Sequence, residues 1–160
     1  MASIVLIGFM GVGKTTLGRE LANRIGRDFV DLDEAVEVDA GKSISQIFAE
    51  DGEEAFRLRE AIQLSRILEA PDKVVATGGG APSREGAMLK MLQAGTVIWL
   101  RASVDTIVSR TTHDSNRPLL EGLSRQQKRE KIEEMLAKRE DYYVQANFAV
   151  DTDGHDPGWL

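Results

Sequence analysis

Ile4-Val5-Leu6-Ile7-Gly8-Phe9-Met10-Gly11-Val12-Gly13-Lys14-Thr15-Thr16 frames the reading of the whole chain. Gly8 to Thr16 fits G-x-x-x-x-G-K-[ST], the phosphate-binding pattern called Walker A. Ile4 to Ile7 is an apolar, β-branched run, as in a strand buried on both faces. From Thr15 to Ile25, Leu17, Leu21, Ala22 and Ile25 recur at helical spacing. Strand, glycine loop and helix therefore follow in the order such a loop needs. Glycines let the backbone turn tightly and bring several N–H groups onto one anion. The helix adds the positive end of its dipole. Lys14 can reach the β- and γ-phosphates, and the Thr15 hydroxyl can join a Mg²⁺ shell. A nucleoside triphosphate site is the first expectation.

Outside this stretch, composition narrows the class. The 160 residues suffice for one domain with a sizeable core. Lys and Arg number 20 against 26 Asp and Glu, a net charge of −6. That balance argues against a nucleic-acid surface as the main business. With no cysteine there is neither a disulfide framework nor a thiolate metal site. A metal would be held by oxygen and by the nucleotide, which suits Mg²⁺. No apolar run approaches the ~18 residues of a membrane span. The first apolar stretch lacks the basic start of a signal peptide. A cytoplasmic protein, with no membrane partner, is expected, and a monomer is the working expectation.

Further along, strands alternate with helical patterns. Phe29 to Asp33 reads as a second strand and Glu34 to Val38 as helical. Ser43-x-x-Gln46 is a capping box opening a short helix, and Glu53 to Glu69 is a longer one. Lys73 to Thr77 reads as a third strand ending at Gly78-Gly79-Gly80, and Pro82-Ser83 starts a helix to about Ala94. Thr96 to Leu100 is the fourth strand, and Ser103 caps a helix to about Arg110. Residues 111–122 read as a long polar loop. Ser124-x-x-Gln127 opens the last helix, to about Gln145, before a fifth strand at Phe148 to Asp151. Five short strands joined by helices imply right-handed crossovers and a parallel sheet covered on both faces, an α/β architecture. Ligands then gather at the carboxyl ends of the strands.

The polar groups expected there carry the chemistry. Asp31 and Asp33 are two apart at the end of the second strand, and alternation puts them on one strand face. A turn or helix cap is the plainer reading of such a pair. The functional one has one carboxylate support Mg²⁺ and the other bind or activate an acceptor hydroxyl. Arg57 and Glu60 are three apart on a helix, where a surface ion pair is the plainer reading. Three glycines after a strand cost chain entropy, so Gly78 to Gly80 imply a close approach to the backbone. Arg110, Arg117 and Arg139 form a set of cations in an acidic chain. Taken singly, each reads as a solvated arginine, but Arg117, in a loop before Pro118, could close on phosphates.

Together these residues resemble the shikimate kinase family over almost the whole chain. Leu6 to Gly18 is similar to that family's loop, though such loops are shared by many kinases. More specific are Asp31-Leu32-Asp33 followed by Gly41-Lys42-Ser43-Ile44 and Ile47-Phe48. Gly52-Glu53, Phe56-Arg57 and Glu60 match a G-E-x-x-F-R-x-x-E signature, and Thr77-Gly78-Gly79-Gly80 the family's glycine triplet. Arg117-Pro118-Leu119-Leu120 matches its lid, and Arg139 with Tyr142 or Tyr143 and Ala146 resembles R-x-x-x-Y-x-x-x-A. The resemblance implies a three-layer P-loop kinase fold with a five-stranded parallel sheet flanked by helices. It divides one domain, 1–160, into a core (1–33, 70–110 and 124–160), an acceptor region of about 34–61 and a lid of about 111–123.

The resemblance also implies ATP-dependent phosphorylation of the 3-hydroxyl of shikimate. By position, Gly11, Val12, Gly13, Lys14, Thr15 and Thr16 would bind ATP, with Thr15 and Asp31 at Mg²⁺. Asp33 would bind the shikimate hydroxyls and act as base. Arg57 and Arg139 would clamp its carboxylate, with the Gly79 and Gly80 backbone completing the pocket. Arg117 would reach the phosphates and Arg110 would lie along the adenine. Two arginines suit one carboxylate because a planar fork pairs with it bidentately. Glu60 is expected to hold Arg57 in place. A gluconate or nucleoside monophosphate kinase, or a nucleotide-binding regulator without catalysis, are the other readings. The first would not require this arginine and glycine set, and the second would be expected to lose Lys14, Asp33 or Arg117.

Overall fold

A computed structural model describes residues 2–111 and 118–154. Five strands form one parallel sheet in the order β2-β3-β1-β4-β5. They are β1 (Ser3–Ile7), β2 (Asp28–Asp31), β3 (Lys73–Ala76), β4 (Gly95–Arg101) and β5 (Phe148–Asp151). The chain switches direction across the sheet between β3 and β4, on either side of β1. The phosphate loop leaves β1 at this switch point, where ligands of such sheets bind. β1 is in register with both neighbours, Val5 opposite Val75 on one side and Val97 on the other.

Alternation on β1 separates two apolar layers. Leu6 packs with Ala22 of α1 (Lys14–Ile25) and Val74. Val5 and Ile7 face the opposite way, onto a core reached by α2 (Leu32–Ala40), α3 (Ile44–Asp51), α4 (Glu53–Glu69) and α5 (Ala87–Ala94). A further core joins Phe9 and Val12 to α6 (Val104–Thr111) and α7 (Arg125–Tyr143) through Ile107 and Ile132. Helix starts at α3 and α7 carry both halves of a capping box, Ser43 with Gln46 and Ser124 with Gln127, as their spacing predicts. No described helix is long and apolar enough to cross a membrane.

Three boundaries differ from expectation. β2 stops at Asp31, which caps α2, so Asp33 sits in the first turn of that helix and not on a strand face with Asp31. The segment read as one helix from Pro82 to Ala94 is two pieces, a 3₁₀ turn at Ala81–Ser83 and α5 from Ala87. Arg84 is extended between them and Gly86 is left-handed at φ 81°, a break no helix can absorb. The last helix ends at Tyr143 rather than Gln145.

Candidate active site

The phosphate loop is built by glycine dihedrals. Gly11 and Gly13 stand at φ 80° and 95°, which side chains disfavour. Gly13 leads directly into α1, so Lys14 and Thr15 occupy the first turn at the positive end of the dipole. Lys14 is 9% exposed, and its Nζ donates to the carbonyls of Gly8 at 2.7 Å and Phe9 at 2.9 Å. The loop wraps its own cation. Met10, Gly11, Gly13, Lys14, Thr15 and Thr16 line a cavity of about 280 Å³. Val12 does not line it; its side chain packs in the core with Phe9, and its N–H points to the Phe9 carbonyl at 3.4 Å. Arg110 does line the cavity, donating from Nη1 to the Gly11 carbonyl at 3.2 Å.

Asp31 is both the helix cap and a site residue. Its Oδ1 accepts from the N–H groups of Asp33 at 2.8 Å and Glu34 at 3.3 Å. Its Oδ2 accepts the Thr15 hydroxyl at 2.6 Å. The two oxygens of Thr15 and Asp31 are hard donors at the mouth of the phosphate loop, as Mg²⁺ prefers. They fit an ion that takes its other ligands from phosphate oxygens and water. Thr15 and Asp31 are the residues here that would hold it.

Beside this cavity lies a smaller one of about 70 Å³, bordered by Asp33, Arg57, Glu60, Gly78, Gly79, Gly80 and Arg139. Met10, Asp33, Gly78 and Gly79 line both. The glycine triplet explains how so many charged groups converge. A Cβ on Gly78 would stand 2.8 Å from Glu60 Oε2 and 2.9 Å from Asp33 Oδ1. On Gly79 it would meet Arg139 Nη1 at 2.9 Å, and on Gly80 the Arg57 guanidinium at 2.5 Å. Each glycine yields the space that one or two of these side chains fill.

The charges are held from behind. Glu60 is 3% exposed, and its Oε1 accepts from Arg57 Nη1 at 3.1 Å. Glu60 is buried and Arg57 half-buried, so the pair is not a superficial one. Burial pushes the Glu60 carboxyl above its ordinary range, with Arg57 opposing. Arg57 also stacks its guanidinium 5.2 Å from the Phe56 ring centre. Arg139, 8% exposed, lies 5.1 Å from the Phe9 ring centre, and burial pulls its pKa down. Its Nη1 is buried with no hydrogen-bond partner among the described residues. A buried guanidinium N–H in that condition suits an anionic ligand.

Tyr143 settles the register left open between the two tyrosines. It is fully buried, donates its hydroxyl to the Gly79 carbonyl at 2.5 Å and sits four residues after Arg139. Burial raises its pKa to about 12. Phe9, Phe48 and Phe56 had no assigned part in the site, yet Phe9 underlies Arg139 while Phe48 and Phe56 wall the smaller cavity. Arg117 lies outside the described residues. Pro118 and Leu119, which follow it, border the smaller cavity.

A phosphate loop at the switch point of a parallel sheet, opening beside a second cavity lined by two arginines and two carboxylates, defines a P-loop small-molecule kinase. The profile of the family described as shikimate kinase matches residues 10–158. The chain belongs to the shikimate kinase family. It is 41% identical over 157 residues to a shikimate kinase of Persephonella marina, covering 98% of this chain and 93% of that protein. With a shikimate kinase of Chlorobium chlorochromatii it shares 45% over 155 residues, covering 94% of this chain and 82% of that protein. Among solved structures, shikimate kinase from Acinetobacter baumannii in complex with shikimate is 35% identical and superposes with a TM-score of 0.93, covering 98% of this chain and 87% of that one. A gluconokinase from Sinorhizobium meliloti 1021, 18% identical at a TM-score of 0.59, shares the fold alone.

Proposed function

We propose that this protein transfers the γ-phosphoryl group of ATP to the 3-hydroxyl of shikimate, giving shikimate 3-phosphate and ADP in aromatic amino acid biosynthesis. The observation that carries the reading is the glycine triplet, whose missing side chains let Asp33, Arg57 and Arg139 close on a cavity sharing a wall with the phosphate loop.

In this reading the N–H groups of Gly11 and of Gly13 to Thr16, with the Lys14 ammonium, hold the phosphates, and Val12 supports the loop from the core. Mg²⁺, when bound at Thr15 and Asp31, neutralises phosphate charge. Arg57 and Arg139 pair with the shikimate carboxylate, and the Gly79 and Gly80 backbone lies against the ring. Asp33 stands where both cavities meet, so it accepts a hydrogen bond from the 3-hydroxyl and takes its proton. The bond from that oxygen to the γ-phosphorus forms as the β,γ-bridging bond breaks, in line. Arg110 lies along the nucleotide. Arg117 enters through its place before Pro118-Leu119-Leu120, as a cation for the transferring group.

A coupled assay of ADP release tests this, with shikimate, gluconate and a nucleoside monophosphate as separate acceptors. Shikimate alone should support turnover. ADP release with gluconate but not shikimate would refute the reading. Arg117→Ala should lower kcat far more than it raises the shikimate KM; a large affinity loss at normal kcat would remove Arg117 from transfer.

A further inference from the structure

A cavity of about 400 Å³ lies against the acceptor site, between α4, the 81–83 turn and α7. Arg57, Gly80, Leu119 and Arg139 line both cavities, so the two meet at the arginine pair. The larger one has a charge opposite to the chain. Arg57, Lys131, Lys138 and Arg139 face a single lining carboxylate, Glu53, in a protein of net charge −6. Glu53 is engaged with Arg57 at 3.6 Å, and Lys138 with Glu134 at 3.1 Å. Lys131 is half-buried and stands within 4.0 Å of no carboxylate among the described residues. Its field reaches Glu134, whose carboxyl Lys138 and then Lys131 hold below the ordinary value.

Two residues of this wall carry unmet hydrogen bonds. Ser83 Oγ and Arg139 Nη1 are buried, and neither has a hydrogen-bond partner among the described residues. Tyr142, one turn beyond Lys138, adds a hydroxylated ring. Cations with scattered hydroxyls suit a small polyhydroxy carboxylate. A carboxylate approaching a net-negative protein is repelled at long range unless a cleft of positive potential focuses it.

We propose that this cavity is an anion-capture chamber for the carboxylate acceptor and that Lys131 is its specificity-determining cation. The acceptor's carboxylate meets Lys131 and Lys138 first and passes across Gly80 to Arg57 and Arg139. This inference rests on the acceptor reading above.

The test is kcat/KM for shikimate against ionic strength, at saturating ATP, for wild type, Lys131→Glu, Lys131→Gln and Lys131→Arg. Relative to wild type at low salt, K131E should lose about tenfold and K131Q about threefold. Both deficits should shrink to less than about twofold near 1 M salt, where the screening length is about 3 Å. K131R should behave as wild type, and the ATP KM should not move. The methyl ester of shikimate, which lacks the charge, should show no K131E deficit. A K131E value equal to wild type at low salt, or a deficit the same at all salts, overturns the chamber. Absence of shikimate turnover by the wild-type enzyme is a different failure, and overturns the acceptor reading on which the chamber depends.

Discussion

Two glycine-rich segments flank the reaction centre, and glycine serves a different purpose in each. In the phosphate loop the constraint shared by all three glycines is dihedral, although Gly8 also lacks room, since a Cβ there would stand 2.5 Å from the Leu100 carbonyl oxygen. Gly13 has φ 95°, and a Cβ there would touch nothing within 4 Å. In the triplet from Gly78 to Gly80 the dihedrals are open to any residue; Gly80 has φ −91°, and none of the three is among the left-handed glycines. There the constraint is volume, claimed by Asp33, Glu60, Arg139 and Arg57. The first segment bends a backbone round an anion. The second removes side chains so that charges from α2, α4 and α7 can meet. One motif binds by what it forms, the other by what it omits.

Substitutions should separate the two causes. The largest effect is expected at Asp33, which the triplet admits: Asp33→Asn should lower kcat about 10³-fold with ATP affinity unchanged, read by steady-state kinetics and nucleotide titration. Retained turnover would sink its role as base. Next, Gly80→Ala puts a Cβ 2.5 Å from Arg57 Nη1, and should raise the shikimate KM about 100-fold by displacing a charged hydrogen bond. Gly80→Asn should be no better. Gly13→Ala should act on the other substrate, raising the ATP KM and costing about 1–2 kcal/mol of stability in denaturant melts. Gly13→Asn should recover part of that, because Asn tolerates left-handed φ. Rescue of Gly80 by Asn, or failure to rescue Gly13, would erase the distinction.

The smallest effect concerns Glu60. Glu60→Gln should raise the shikimate KM about tenfold by loosening Arg57, with kcat little changed. It also has a pH signature. Burial holds the Glu60 carboxyl above its ordinary 4.5, so the folded chain keeps a proton that the unfolded chain has released. Stability contributed by this group is complete below about 4.5 and falls as pH rises through the folded value. E60Q should flatten that fall in a series of urea melts. An unchanged pH profile would place Glu60 outside the titrating set.

What the sequence makes legible follows from how local each determinant is. The phosphate loop, both capping boxes and the limits of α4 depend on residues within a few positions of one another, and each stands where the pattern places it. The Asp31 and Asp33 geometry is misplaced when the strand's alternation is extended two residues too far, past the point where Asp31 turns to cap α2. Arg57 and Glu60 show a surface pattern at i,i+3, and only the packing of α4 against α2, α3, α5 and the 81–83 turn buries Glu60 and half-buries Arg57. Phe9 occupies a variable position of its motif, and its place beneath Arg139 requires α7 to return across the molecule. Val12 sits in the same motif yet belongs to the core. The antagonism of glycine and side-chain volume in the triplet joins residues 57, 60 and 139 to 78–80, a relation no local window contains.

Of the residues common to both cavities, Gly78 and Gly79 offer only main chain, and Met10 and Asp33 bring side chains. The spacing between donor and acceptor is thus set largely by the thickness of a peptide, which has the same dimensions in every protein. Drift in sequence cannot thin or thicken such a partition; it can only add a side chain and obstruct it. The side chains that can alter the gap the phosphoryl group must cross are therefore those of Met10 and Asp33, of which Asp33 alone is ionisable.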